Sequence, residues 1–232
     1  MFQNACNTNR EAIYGILGIS QINPTQIGYT TGTGFMIAPN VIATAAHLLH
    51  LNNDPAQPLI ANIRVIRTPD IGQGLTAAIV IAEDTVRDIA LLRINDATNA
   101  NCLTLTSIAT QLGTPAGSLG FPLSSVTFPN NAPHYELVER FQGTYISAKY
   151  PQQVSPTRIL DIIETNGAMY KGSSGCPGFY DNGHVFGMHV AVRTGDENQN
   201  GVNSRLAIAI WVPSTDIIAF AQQNGIAGLT IV

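Results

Sequence analysis

The chain has 232 residues, 45% of them hydrophobic and 11% charged, with a net charge of −4. That much apolar material builds a sizeable core and excludes disorder. The scattered Lys and Arg residues form no basic run, which excludes nucleic acid as a partner, since phosphate neutralisation needs clustered cations.

The opening stretch MFQNACNTNREA has no basic segment followed by an apolar block, so it does not read as a secretory signal. Strand signals then dominate, as short apolar or β-branched runs bounded by Gly, Pro and Asn. Strands are expected at residues 12–20, 33–38, 41–44, 60–67, 75–82 and 89–94. Residues 95–101 (NDATNAN) are polar without periodicity and read as a loop. A second series begins at residues 113–117 (GTPAG), with strands expected at 118–120, 135–146, 158–164, 178–180, 185–192 and 207–211. Asp181-Asn182-Gly183 reads as a tight hairpin turn within it. Helix is expected only as a short turn at 45–49 and over 215–223, the latter with Ser214 as N-cap and Gly225 as the stop. No run of about eighteen apolar residues occurs, so no membrane span is expected.

The expected fold class is therefore all-β, with short strands that point to barrels or sandwiches in two units of similar size, and a C-terminal helix. The division falls between 1–108 and 109–232, with the first unit carrying a histidine and an aspartate and the second a serine. A cleft between the two is the natural place for a site. Cys6, Cys102 and Cys176 are odd in number and far apart. They argue against a disulfide framework and for a reducing, cytoplasmic location. The apolar ending GLTIV suggests a piece of a longer protein.

Three segments can carry chemistry together: TAAH ending at His47, DIALL starting at Asp88, and KGSSGCP around Ser174. A serine hydroxyl is a poor nucleophile until a base takes its proton. Imidazole has the right basicity, and a carboxylate behind the ring fixes its tautomer. Attack on a carbonyl also puts negative charge on oxygen, which backbone N–H groups stabilise; losing one such donor typically costs about 3 kcal/mol. Gly172, two positions before Ser174, permits the backbone turn that this requires. Ser173 has Lys171 at that register, so Ser174 is the candidate nucleophile.

TAAH, DIALL and GSSGCP, in that order, resemble the active-site signatures of the chymotrypsin-like (trypsin-fold) serine peptidases. TGTGFMIAPNVIATAAH is similar to the strand-turn-strand that delivers the family's histidine. GSLGFP resembles the start of the second barrel in bacterial glutamyl endopeptidases and HtrA-like peptidases. The resemblance implies His47 as general base, Asp88 as its orienter, Ser174 as nucleophile and the Gly172 and Ser174 amides as the oxyanion hole. It implies two packed antiparallel β-barrels with a C-terminal helix, an acyl-enzyme, a peptide or protein substrate and no cofactor. Where the digestive enzymes have an aspartate before the nucleophile, this chain has Ser173, so activation by a new N-terminus is not available. Control is expected instead from a regulatory partner or an appended domain. Cys176 takes the place of a small Gly or Ser and reads as a packing thiol.

Gly187-Met188-His189 resembles the Gly-x-His segment of glutamyl endopeptidases and of viral chymotrypsin-like proteases, in which the histidine recognises a P1 Glu or Gln. The resemblance implies His189 as a specificity residue; a core histidine is the alternative. Strict alternation puts Val185, Gly187, His189 and Ala191 on one strand face and Phe186, Met188, Val190 and Val192 on the other. Val190, Ala191 and Val192 are expected to pair with the substrate backbone. Met169 stands where those families place a hydroxyl contact to P1, and Lys171 can lend charge at the pocket mouth. Ala168 occupies the position of the aspartate that selects basic side chains, so the expected P1 order is Glu or Gln, then a medium apolar residue. Residues 196–201 match the opening of an EF-hand loop, but Ala207 stands at the closing glutamate position, and His50, His134 and His184 lack ligand spacing; no metal is expected. The reading from another functional class is a catalytically silent trypsin-fold module that binds peptides or proteins. A viral-type protease that processes its own polyprotein is a third.

Overall fold

The computed structural model describes all residues except 24–25, 68–73, 96–100, 128–133, 168 and 200–201. It opens on a helix absent from the sequence reading, α1 (Gln3–Asn9), followed by a 3-10 turn at Arg10–Ala12. The helix sequence QNACNTN is a poor helix former, and no side chain caps its start. Tertiary contacts hold it. Phe2 packs its ring against Phe141 and Phe179 at centroid distances of 5.5 and 6.3 Å. Asn9 donates from Nδ2 to the Gly183 carbonyl at 3.0 Å.

The first barrel is built from β1 (Ile13–Asn23), β2 (Gln26–Ala38), β3 (Val41–Thr44), β4 (Asn62–Arg67), β5 (Thr76–Asp84) and β6 (Ile89–Ile94). These strands pair antiparallel in the order β1-β2-β3-β6-β5-β4, and β4 returns to β1 to close the sheet. Closure removes open sheet edges, which suits strands as apolar as these. A second series follows: β7 (Pro115–Gly120), the small ladder of β8 (Ser125–Thr127) with β9 (His134–Glu136), then β10 (Arg140–Ser155), β11 (Arg158–Thr165), β12 (Pro177–Phe179), β13 (Val185–Gln199) and β14 (Val202–Pro213). Here the closed order is β10-β11-β14-β13-β12-β7. The helix α2 (Ser214–Gln223) completes the fold. The all-β, two-barrel expectation with a C-terminal helix holds.

One apolar cluster runs through both barrels. It joins Phe35 and Leu91 of the first to Phe121, Val185 and Met188 of the second, with Ile217 and Phe220 of α2. The segment between the barrels is fixed on both sides: Val185 donates to the Thr104 carbonyl, and Leu105 exchanges bonds with Thr230 and Val232. The apolar residues of GLTIV thus pair with that segment.

Several local expectations change. The run read as 135–146 is two strands, and β10 continues through Pro151 to Ser155. Its ladder with β7 stops at Tyr145, so Pro151 lies where one edge is no longer paired to β7, the setting in which a strand tolerates proline. Residues Asp196 to Gln199 are strand, paired with 202–205, not a calcium loop. Ser214 is the first residue of α2, with Pro213 at the N-cap; its hydroxyl donates to the Thr106 carbonyl instead of capping the helix. The turn at 181–183 is present, with Gly183 at φ +87° and its N–H bonded to the Tyr180 carbonyl.

Candidate active site

His47 lies in the 3-10 turn Ala46–Leu49 that follows β3, and Asp88 immediately precedes β6, which pairs with β3. That pairing makes residues far apart in sequence neighbours. Asp88 takes φ +57°, a left-handed conformation that aspartate tolerates. The turn before it is tied by Asp84, whose Oδ1 accepts from the N–H groups of Val86 and Arg87 at 3.0 Å each. Asp88 then grips His47 twice. Oδ1 accepts from the His47 backbone N–H at 2.8 Å, and Oδ2 accepts from ring Nδ1 at 2.6 Å. A carboxylate only accepts, so Nδ1 carries the proton and Nε2 presents its lone pair.

The loop that carries the two serines separates them. Ser173 is fully buried; its Oγ accepts from the Tyr170 N–H, and its own N–H donates to the Tyr170 carbonyl. Ser174 is partly exposed, and its hydroxyl makes no hydrogen bond among the described residues. The backbone N–H groups differ in the same way. Those of Ser173, Gly175 and Cys176 donate within the protein, whereas those of Gly172 and Ser174 have no partner among the described residues. Gly172 and Gly175 hold φ of +92° and +81°. A Cβ at Gly175 would lie 1.9 Å from the Thr33 carbonyl oxygen, so no larger residue fits.

The loop is brought to His47 through Thr33 on β2. Thr33 donates its N–H to the Ser174 carbonyl at 2.9 Å, while its own carbonyl accepts from Thr44 Oγ1 at 2.7 Å, three residues before His47. Sequence reasoning did not single out Thr33; the signal was a strand hydroxyl between two glycines in TGTGF.

His189 lies behind this loop. Its carbonyl accepts from the Gly175 N–H and its N–H donates to the Cys176 carbonyl. The ring is 2% exposed and stands edge-on to Trp211 at 5.3 Å. Burial pushes the imidazole down to about 4, with His47 adding to the shift and Asp88 opposing it. The Ser173 and Ala191 backbones face the ring and pull the other way, but neither ring nitrogen has a hydrogen-bond partner. Single-residue bulges at Phe186 and Val190 break the expected alternation along β13. Ala191 therefore does not follow His189 on one face, and Phe186 and Met188 enter different clusters.

Among the described ladders, Ala191 and Val192 pair with β14 alone, which leaves their other edge open. A cavity of about 230 Å³ beside Asp88 is lined by Val190, Ala191, Val212 and Asp216. A larger groove of about 640 Å³, bounded by Pro39, Ile79 and Ile226, shares no residue with this region. Met169 is buried against Trp211 and Phe186. Lys171 is exposed, with Nζ 5.8 Å from the centre of the Tyr29 ring. Ala168 lies outside the described residues. Burial drives the Cys176 thiol up to about 11, which leaves it protonated and inert, as a packing group should be. His50 is held by the Gln57 carbonyl and Glu83. Among the described residues no helix is long and apolar enough to cross a membrane, and no group of three acidic, His or Cys side chains is arranged to hold a metal ion.

No curated protein matches the chain. Among solved structures, the active form of the Rv3671c protease from M. tuberculosis is similar with a TM-score of 0.68 at 16% identity, covering 98% of this chain and 86% of that one. A serine-to-alanine mutant of the same protease, in an inactive form, gives 0.67 at 16% identity over 97% and 92% of the two chains. The inactive form of the Rv3671c protease gives 0.64 at 17% identity over 96% and 93%. At such identities the likeness is one of fold. The model of the trypsin-like peptidase domain matches residues 32–188, a span that begins on β2 and ends beyond the loop of Ser174. The chain belongs to that family of trypsin-like peptidase domains, serine endopeptidases that hydrolyse peptide or protein substrates.

Proposed function

We propose that the chain cleaves peptide bonds with Ser174 as nucleophile, His47 as general base and Asp88 as the carboxylate that orients it. The substrate carbonyl carbon is attacked by Ser174 Oγ while His47 Nε2 takes the hydroxyl proton. The negative oxygen that forms is held by the N–H groups of Gly172 and Ser174. His47 then returns the proton to the leaving amine, and water hydrolyses the acyl-enzyme by the same route. The observation that carries this reading is which groups are engaged and which are not. Asp88 occupies His47 Nδ1, whereas the Ser174 hydroxyl and the N–H groups of Gly172 and Ser174 have no partner among the described residues.

The preference at P1 is for Glu or Gln, read by His189. A buried neutral imidazole with both nitrogens unpaired is completed by a side-chain carboxylate or amide oxygen that accepts its N–H. An apolar P1 side chain leaves that donor unpaired and is penalised. The open edge at Ala191 and Val192 takes the substrate backbone as an added strand. Control comes from a partner or an appended domain.

A fluorophosphonate probe and cleavage-site profiling on a peptide library test the two parts separately. Labelling of wild type but not of Ser174→Ala is expected, and a wild-type protein that resists the probe would make the chain a silent binding module. His189→Ala is expected to lose the Glu/Gln preference; an unchanged P1 profile would end the specificity reading.

A further inference from the structure

Thr33 belongs to the first barrel, yet its N–H and its hydroxyl both serve the second. The side chain is fully buried, so no water can substitute for its hydroxyl. Its Oγ1 accepts from the Phe121 N–H at 3.0 Å and donates to the Gly172 carbonyl at 3.0 Å. One acceptor and one donor function are thereby used with defined direction. Gly172 itself is loosely determined by its chemistry, because glycine at φ +92° has no side chain to pack. The preceding peptide is fixed from the other side: Leu123 donates its N–H to the Lys171 carbonyl at 2.6 Å. The peptide unit is planar and trans, so anchoring the Lys171 oxygen toward Leu123 aims the Gly172 N–H the opposite way. Leu123 is held at φ +61°, a strained conformation for leucine that persists only where its surroundings impose it.

These bonds form a closed circuit through Thr33, the Phe121–Leu123 turn and the Lys171–Gly172 peptide. We propose that the Thr33 hydroxyl is a positioning group for the oxyanion hole: by holding the Gly172 carbonyl from the opposite barrel it fixes the residue that joins the Lys171–Gly172 peptide to the Ser174 loop, so that the Gly172 N–H and that of Ser174 serve one oxygen atom. The proposal rests on the reading of Ser174 as nucleophile. Thr33 touches neither substrate nor reacting atoms. Its effect falls on transition-state stabilisation, which depends on donor placement, and leaves ground-state binding along the Ala191–Val192 edge unaltered.

The test is a series at one position, Thr33→Ser, Thr33→Cys and Thr33→Val, assayed on a fluorogenic peptide that wild type cleaves. Melting temperature and fluorophosphonate labelling are followed in parallel. Loss of the hydroxyl in Thr33→Val is expected to lower kcat by about 10- to 100-fold with KM within about twofold, and Thr33→Ser to restore most of it. Across the series kcat should follow hydrogen-bonding strength, Ser above Cys above Val, rather than melting temperature. Should Thr33→Val fail to fold, the Ser and Cys pair decides: Cys well below Ser supports the proposal, and equal kcat overturns it. Wild-type kcat in a folded Thr33→Val overturns it too, as does a kcat that tracks stability alone. A wild-type protein that resists labelling at Ser174 would overturn the nucleophile reading and this inference with it; normal labelling with unchanged kcat in the series overturns this inference alone.

Discussion

Replacing His189 with leucine separates what the ring does for specificity from what it does for stability. The imidazole is 2% exposed and neither nitrogen has a partner. A buried polar group left unpaired costs about 1–3 kcal/mol. Leucine is close in volume and keeps an apolar contact with Trp211. The variant is therefore expected to be more stable than wild type at pH 7, by about 1–3 kcal/mol, each kcal/mol raising Tm by about 2–4 °C in a chain of this length. The difference should widen in acid. The folded imidazole sits at about 4, below its ordinary 6.5, so the unfolded chain takes up the proton first. Stability tied to this group is intact above about pH 6.5 and is lost as pH falls toward 4. At about 1.4 kcal/mol per unit, the full shift is worth about 3 kcal/mol, of which about 2 kcal/mol is gone by about pH 4.5. Leucine does not titrate, so the gap in Tm should grow by about 4–8 °C between pH 7 and pH 4.5. Thermal scans at both pH values measure this, together with cleavage of peptides carrying Glu or Gln at P1. A variant less stable than wild type at pH 7, or a gap that stays constant with pH, would refute the picture of an unsatisfied ring.

Two further outcomes are expected. Asp88→Asn keeps the shape but loses an acceptor for the His47 ring, now bonded at 2.6 Å, and favours the wrong tautomer; kcat should fall by about 10³- to 10⁴-fold with little change in KM, and a loss below tenfold would count against Asp88 as orienter. Arg158→Ala cuts the 2.7 Å ion pair that runs from the start of β11 to Asp84 at the end of β5. Burial raises the Asp84 carboxyl, but the Arg87 N–H and the Arg158 guanidinium outweigh it and hold the group below the usual carboxylate range. Stability from that shift is present above the ordinary carboxylate value and is lost as pH falls through the folded value, so the variant should begin acid unfolding at higher pH. An unchanged acid midpoint by circular dichroism would show that the pair contributes nothing.

His47 and Asp88 were legible because local sequence encodes their delivery: TAAH ends an apolar strand, and DIALL begins one that pairs with it. The register to Gly172 favoured Ser174 over Ser173 as the candidate nucleophile, and in the structure the Ser173 hydroxyl is buried and bonded to Tyr170. What escaped was set by distant partners. The polar α1 forms because Phe2 and Asn9 find contacts on the second barrel, which no helical pattern announces. The bulges at Phe186 and Val190 depend on how β12 and β14 align with β13, so alternation read along one strand alone gave the wrong faces. Thr33 looked like an ordinary strand residue, because its meaning lies in the carbonyls of Gly172 and Ser174, on the other barrel.

The seam between the barrels has to do two things that one kind of force does not supply. The apolar cluster that joins Phe35 and Leu91 to Phe121 and Met188 provides most of the adhesion, but burial of apolar area is non-directional and tolerates small slides of one barrel on the other. A slide of about 1 Å is enough to cost two orders of magnitude in rate at a reacting centre. Hydrogen bonds contribute less net stability, about 1 kcal/mol each, but they are directional. Those from Thr33 to Ser174 and Gly172, and from Arg158 to Asp84, all cross the seam and end within four residues of a proposed catalytic side chain. Adhesion and registration are thus carried by separate sets of residues. Substitutions in the apolar cluster should act first on stability, whereas loss of a crossing bond such as that from Thr33 should act first on turnover.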